Sequence, residues 1–292
     1  MFSMSDNIPW NLKDFKNSLI SRGKLIPLIE NLLIRKRAES TRDTDHIHPS
    51  DISKKNWCPR ATWYQIKGYN KEESYNFQRM NVFAEGHAIH AKWQNWINEL
   101  GILYGTWQCS NTSCSHKWVA TSPKNCPSCN ALQPLYIEIP LHNDEHLILG
   151  HADGCVDDGK NPKYLIEIKS VGVGTIRYEN AELVKDKTPE AAWKAIRVPF
   201  ASHVRQSLLY MYCTGIHEML IIYEWKATQE TKEFTLKYQP ELIEPLLIGC
   251  KSVIKGLSSG IPPMRPPSAS SSSCYFCKSC PYNKVCWKND IE

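Results

Sequence analysis

Twelve cysteines in a 292-residue chain, nine of them in polar or turn-rich surroundings, constrain the fold more than any other feature. The chain opens Met1-Phe2-Ser3-Met4-Ser5-Asp6, without the basic-then-apolar order of a secretory signal, and no apolar run approaches the ~20 residues that span a bilayer. The expected setting is the reducing cytoplasm, or the host cytoplasm if the chain is phage-encoded. There, clustered thiols bind metal more often than they pair as disulfides. In "CSNTSCSHKWVATSPKNCPSC", Cys109 and Cys114 precede a short hairpin, and Cys126 and Cys129 follow it. Two such knuckles supply four thiolates for a structural Zn²⁺ ribbon over residues 107–132, with His116 as a substitute ligand because the first knuckle is longer than C-x-x-C. A polar segment this short has little core of its own to hold it folded.

The tail, "CYFCKSCPYNKVC", carries Cys274, Cys277, Cys280 and Cys286. Two readings stand: a second zinc site within the tail, or a set of three, Cys277, Cys280 and Cys286, completed by the distant Cys58 of "NWCPRATWY". Four thiolates of that kind hold an iron–sulfur cluster, and one of the four often lies far away in sequence. Spacing alone does not choose between iron and zinc. Cys155, Cys213 and Cys250 stand alone in apolar surroundings and read as small core residues.

The length suits one large domain with insertions, and a net charge of +5 permits nucleic-acid binding without demanding it. Residues 8–36 read as one or two helices in an N-terminal segment, 1–47. Short helices follow over 48–69, capped at Ser50 and broken at Cys58-Pro59. A long helix over 76–101 places Phe83, His87, His90, Gln94 and Ile97 on one face and stops at Gly101. Strands are expected at 134–141 and 145–156, joined through Asn143-Asp144, and at 163–170. Helices at 175–197 and 199–214, strands at 217–226 and 231–238, and a helix at 239–257 come next. "GIPPMRPPSASSSS" (260–273) is a linker to the terminal cysteines.

The strand Tyr164-Leu165-Ile166-Glu167-Ile168-Lys169 sets a carboxylate and an ammonium on one face and isoleucines on the other. By itself this reads as an amphipathic strand with one wet face. An ordered series of segments gives it another meaning. "CPRATWY" (58–64), "GHAIH" (86–90), "GHADG" (150–154), "EIKS" (167–170), "QSLLY" (206–210), "YEWK" (223–226) and the closing C-x-x-C-x5-C resemble, in order, the RecB-like PD-(D/E)xK nucleases. The resemblance is strongest to their iron–sulfur group, which contains AddB and the CRISPR-associated RecB-like exonucleases. It covers most of 48–286, with the cysteine-rich insertion as the main departure.

The resemblance implies an α/β, restriction-endonuclease-like fold, a mixed central sheet flanked by helices with an iron–sulfur-stapled C-terminal tail, to which the cysteine spacing adds the zinc-ribbon insertion. It implies a 4Fe–4S cluster on Cys58, Cys277, Cys280 and Cys286, with Cys274 as an alternative ligand. His90, Asp153 and Glu167, with the Ile168 carbonyl, would hold a catalytic cation. Hard carboxylates suit Mg²⁺ or Mn²⁺, and an imidazole tilts the choice towards Mn²⁺. Lys169 would act on the attacking water or the transition state, and Gln206 and Tyr210, at i and i+4, would pack beside the metal and hold the DNA backbone. His203, Arg205 and Lys226 are candidate phosphate contacts. Trp107, Trp118 and Tyr136 would either stack bases or fill a small core.

The implied activity is Mg²⁺- or Mn²⁺-dependent DNA hydrolysis, exonucleolytic on single strands or duplex ends, in recombination, repair, phage DNA metabolism or CRISPR spacer processing. A helicase, an annealing protein or CRISPR adaptation proteins are the partners it implies, and no membrane. The alternatives are a non-catalytic, metal-stabilised nucleic-acid-binding module and a sequence-specific endonuclease that uses the ribbon for recognition. Polarity, strand preference and oligomeric state stay open.

Overall fold

The computed structural model describes residues 23–38, 43–71 and 77–288. The chain divides into two units, Met1–Arg42 with Ser74–Phe83, and Asp43–Glu73 with Ala84–Glu292. The first contains α1 (Ile26–Ala38); residues 8–22 of the expected N-terminal helices lie outside the described residues. The second begins with α2 (Pro49–Ile52) and α3 (Pro59–Ile66), and α4 (Phe77–Glu99) runs into it. Strands β1 (Leu103–Gln108), β2 (Lys117–Thr121), β3 (Leu135–Tyr136), β4 (Ile139–Asn143), β5 (Ile148–Ala152), β6 (Gly154–Val156) and β7 (Tyr164–Val171) follow. Then come α5 (Val173–Glu179), α6 (Pro189–Ala195), α7 (Ala201–Thr214), β8 (Glu218–Trp225), β9 (Thr231–Lys237), α8 (Glu244–Ser259), α9 (Tyr275–Lys278) and α10 (Asn283–Lys288). Among the described residues, no helix is long and apolar enough to cross a membrane.

The central sheet runs β2-β1-β6-β7-β8-β9, with β3 also paired to β1. Only β7 and β8 are parallel; the other pairs are antiparallel, so the sheet is mixed. The parallel step is made through the helices between β7 and β8, as a crossover requires. Strand alternation divides β7 between two cores. Ile166 and Ile168 pack with Ile89 and Ile97 of α4, Leu103 and Trp107. Leu165 and Val171 pack with Leu208, Leu209 and Tyr210 of α7 and with Ile221 and Tyr223 of β8. Helices therefore cover both faces, the α/β layering expected from the sequence.

Several boundaries differ from the sequence reading, each for a local reason. α2 begins at Pro49 with His48 as N-cap, not at a Ser50 cap, because a proline at the first helical position already has the φ a helix needs. α4 buries Ile89 and Ile97 and half-buries Trp93, whereas Phe83 and His87 are exposed; Gly101, at φ +78°, ends the helix as expected. The strand expected at 134–141 breaks at Glu138, whose φ is +57°, into β3 and β4. The strand expected at 145–156 is two strands in different sheets. β5 pairs β4 in a two-stranded hairpin, whereas β6 pairs β7. The helix expected at 175–197 is α5 and α6, separated by a turn at Ala181–Leu183.

Candidate active site and cysteine centres

Asp153 stands where the chain crosses from the β4-β5 hairpin into the central sheet, between β5 and β6. The crossing needs a glycine next. A Cβ at position 154 would fall 2.8 Å from Ile166 Cδ1, which accounts for the Asp-Gly order. Along β7, the backbone of β6 reaches only Tyr164–Ile166, so the next rung on that edge is unfilled. The Asp153 carboxylate takes that rung, with Oδ2 accepting from Ile168 N–H at 2.6 Å. Amide and carbonyl of one strand residue point to the same edge, so the Ile168 carbonyl also faces the Asp153 side.

The other Asp153 oxygen, Oδ1, lies 3.2 Å from His90 Nδ1 on α4. Burial opposes a charge on His90, and the Asp153 carboxylate outweighs it, so the imidazole's pKa is raised. Glu167 is 1 % exposed; the amphipathic-strand reading fails here, because this face is covered by α7. Burial, then the Asp153 charge, raises the Glu167 pKa to about 7, against the pull of Lys169. Its Oε1 is ion-paired with Lys169 Nζ. Its Oε2 is buried and has no hydrogen-bond partner among the described residues. An orphaned carboxylate oxygen beside a second carboxylate is costly to bury, and a cation is the group that would satisfy it. The donor set, carboxylates and an imidazole, fits a hard divalent ion.

Gln206 and Tyr210 of α7 complete the site. Lys169 Nζ donates to Gln206 Oε1 at 3.1 Å, and Gln206 Nε2 donates to Tyr210 Oη at 2.6 Å. The two side chains, one turn apart on α7, thus form a hydrogen-bonded chain that fixes the lysine.

Glu138 is the functional candidate that the sequence reading missed. One ligand atom each from His90, Glu138 and Asp153 lies within 4.8 Å of the others. Gln94 holds the arrangement, donating to Glu138 Oε1 at 3.3 Å and to the Asp153 carbonyl at 2.8 Å. Burial and the Asp153 charge raise the Glu138 pKa. In a regular strand this residue is one more polar position; its positive φ turns it into the site. Glu138→Gln, which keeps the size of the side chain, is expected to lower Mn²⁺ affinity about tenfold, the lower end of losses for groups flanking a metal. Titration of Mn²⁺ into folded wild-type and variant protein measures this.

Three proposed phosphate contacts point elsewhere. His203 is buried, with Nδ1 2.5 Å from the Tyr223 hydroxyl, and burial, then the Lys169 charge, holds its pKa well below the usual value. Arg205 donates from Nε and Nη2 to the Ser53 carbonyl, at 2.9 and 2.6 Å. Lys226 pairs with Glu85 at 2.8 Å. All three hold elements together. Trp107 is 2 % exposed, packs edge-on to Tyr136 with ring centroids 5.1 Å apart, and donates Nε1–H to the Ala120 carbonyl at 3.0 Å. Trp118 belongs to the same core. Of the two sequence readings for these aromatics, the small core is the one observed.

In the insertion, Cys109, Cys114, Cys126 and Cys129 bring their sulfurs within 4.8 Å of one another. Cys109 Sγ is 3.4 Å from Cys129 Sγ, and Cys114 Sγ is 4.0 Å from Cys126 Sγ. Each knuckle turns a backbone amide onto its first sulfur, Asn111 N–H to Cys109 and Ser128 N–H to Cys126, both at 3.4 Å. The four thiols could hold a metal ion. His116 stacks on Trp118 and is not one of the group.

In the tail, Cys58, Cys277, Cys280 and Cys286 line one cavity, together with Tyr64, Arg265, Tyr282 and Trp287. Cys274 is not part of that lining; its Sγ faces the Ser268 carbonyl at 3.5 Å. Cys155 and Cys250 are buried in the main core, with Cys213 packed against it.

No protein-family model matches the chain, and no curated protein matches it in sequence. Among solved structures it is similar to an alkaline exonuclease, LHK-Exo, from Laribacter hongkongensis, at 13% identity and a TM-score of 0.44 over 74% of this chain and 90% of that one. LHK-Exo in complex with dAMP matches at 15% identity and 0.42 over the same shares. A protein designated SSO0001 matches at 11% identity and 0.42 over 90% of this chain and 96% of the other.

Proposed function

We propose that this chain is a Mg²⁺- or Mn²⁺-dependent deoxyribonuclease that acts from DNA ends. The observation that carries the reading is the grouping of His90, Glu138 and Asp153 within 4.8 Å, beside Glu167, which is outside that group, is ion-paired with Lys169 and keeps a buried, unsatisfied Oε2. A divalent cation bound there would polarise the scissile phosphate and acidify a water. Asp153, His90 and Glu138 would hold it, with Glu167 and the Ile168 carbonyl as further candidate ligands beside them. Lys169, donating to Glu167 and Gln206, presents its ammonium to the attacking water and to the charge that develops on the phosphate. Gln206 and Tyr210 keep that ammonium in place. Water is the nucleophile, and no covalent enzyme intermediate forms.

The order of the sequence motifs supports DNA as substrate and ends as the point of attack. Linear duplex is expected to disappear on incubation with the protein and Mg²⁺ or Mn²⁺, while covalently closed circles persist. Nicking or linearisation of the circles would favour an endonuclease. Persistence of both substrates, with DNA still bound, would favour a non-catalytic binding module.

The insertion is read as a structural zinc ribbon on Cys109, Cys114, Cys126 and Cys129, supported by the sulfur spacing and the amide-capped knuckles. Cys126→Ser is expected to release one tightly held zinc and to loosen residues 107–132, with part of the nuclease activity retained. Full zinc content in that variant would eliminate this ligand set.

The tail centre is read as an iron–sulfur cluster, of the 4Fe–4S kind, on Cys58, Cys277, Cys280 and Cys286. Among the described residues these thiols are not drawn into a group within 4.8 Å, as the ribbon thiols are; they surround a cavity. A cluster needs that wider spacing, and a single ion the closer one.

A further inference from the structure

The cavity between Cys58, Cys277, Cys280 and Cys286 carries two nitrogen donors that the cysteine pattern does not anticipate. Arg265 comes from the linker, which reads in sequence as a mere spacer. Its Nε donates to Cys286 Sγ at 3.3 Å, its Nη2 donates to the Cys286 carbonyl, and its guanidinium lies 3.9 Å over the Trp287 ring. This is three-point placement of a cation on one sulfur. Trp287 lines the same cavity. Its Nε1 is buried and, among the described residues, has no hydrogen-bond acceptor. Cys277 lines the same cavity as the indole. A buried indole N–H normally finds a partner, and a cavity bordered by four cysteines is where this one stands.

We propose that Arg265 and Trp287 are a donor pair that tunes the tail cluster, Arg265 through the Cys286 sulfur and Trp287 through the Cys277 sulfur or a cluster sulfide beside it. The pair rests on the iron–sulfur reading of the tail. Hydrogen bonds to cluster sulfurs, and positive charge beside them, stabilise the more reduced, more negative state and so raise the reduction potential. A raised potential makes oxidative loss of the cluster harder. Arg265 and Trp287 are positioning residues: they touch the ligands, not a substrate. They give the linker a second task, since its path delivers Arg265 to the cavity while it connects α8 to the tail.

Trp287→Phe keeps the aromatic surface under Arg265 and deletes only the N–H. Arg265→Gln removes the charge and keeps a donor. Full-length protein purified without oxygen is assayed for iron, then titrated with dithionite and redox mediators while the cluster's EPR signal is followed; bleaching in air is timed on the same samples. Both variants are expected to retain wild-type iron. Each is expected to lower the one-electron reduction equilibrium constant about tenfold, about 59 mV, and to bleach several-fold faster. Unchanged potentials and bleaching rates in two variants with full iron would overturn the donor pair and leave the cluster standing. Wild-type protein that holds zinc and no iron in the tail would overturn the cluster reading and the pair with it.

Discussion

Alanine at Asp153 or at Glu167 is expected to abolish cleavage of linear DNA, with added Mn²⁺ restoring little. Each carboxylate has a place that no neighbour can fill. Asp153 supplies the missing rung to Ile168 and faces His90 at the same time; Glu167 is the buried group with an oxygen left over. The isosteric Asp153→Asn and Glu167→Gln separate chemistry from folding, because an amide oxygen can still accept from Ile168 N–H while the charge that attracts a cation is gone. Lys169→Ala is expected to leave metal binding largely intact and to raise the barrier by about 3–4 kcal/mol, two to three orders of magnitude in rate. That variant also strips a buried carboxylate of its partner, a change that destabilises by about 3–5 kcal/mol where nothing replaces the charge, so its melting point has to be read with Mn²⁺ present. His90→Ala is expected to be milder, since a neutral ligand removes less charge complementarity. DNA binding is expected to survive in all of them, because phosphate contacts away from the cation carry most of the affinity. Initial rates on end-labelled duplex, with filter binding on the same preparations, measure both effects.

The second large effect concerns the tail. Cys58→Ala and Cys286→Ala are each expected to bleach a brown protein, to empty it of iron and to lower its stability on the scale of a lost native cross-link, about 2–5 kcal/mol. Cys58 is the N-cap of α3 and Cys286 lies in α10, so the two mutations act from opposite ends of the chain on one centre. Closing so long a loop costs only about (3/2)RT ln n, which ligation offsets. The tail is otherwise anchored by Tyr282, 4 % exposed and stacked on Tyr64 with ring centroids 6.0 Å apart, by Cys280, Val285 and Cys286 packed against the main core, and by the Arg265 contacts to Cys286 and Trp287. Without the cluster these would have to hold α9 and α10 alone. Cys274→Ala, outside the cavity, is expected to leave colour and iron unchanged. Anaerobic visible spectra with iron analysis check all three, and a colourless wild type would favour zinc in the tail.

The residues that do the proposed chemistry were legible in the sequence where their roles follow from local spacing. Glu167 and Lys169 share a strand face by alternation, Gln206 and Tyr210 share a helix face by the four-residue repeat, and the ribbon cysteines announce themselves as two knuckles. What the sequence hid depends on departures from regular structure or on distant contacts. Glu138 enters the site because its backbone adopts a left-handed turn between two strands, an event invisible to a period-two pattern. The segment 145–156 looks like one strand, yet it serves two sheets, and the residue at the break is Asp153 itself. His203, Arg205 and Lys226 carry the charge or polarity of phosphate binders, but each is claimed by a partner far away in sequence: Tyr223, Ser53 and Glu85. Arg265 sat in a stretch whose prolines and serines suggested no contact at all.

One measurement reaches the central proposal, that a single cation held by Asp153 and His90, with Glu138 and Glu167 beside them, supports cleavage of DNA. Mn²⁺ binding is followed by EPR in wild-type and Asp153→Ala protein, both with full zinc and iron, and DNA cleavage is assayed in the same samples. The expected result is one Mn²⁺ site in the wild type, filled over the same concentrations at which linear DNA is degraded, with both site and cleavage lost in Asp153→Ala. Wild-type Mn²⁺ binding and digestion by Asp153→Ala would contradict it.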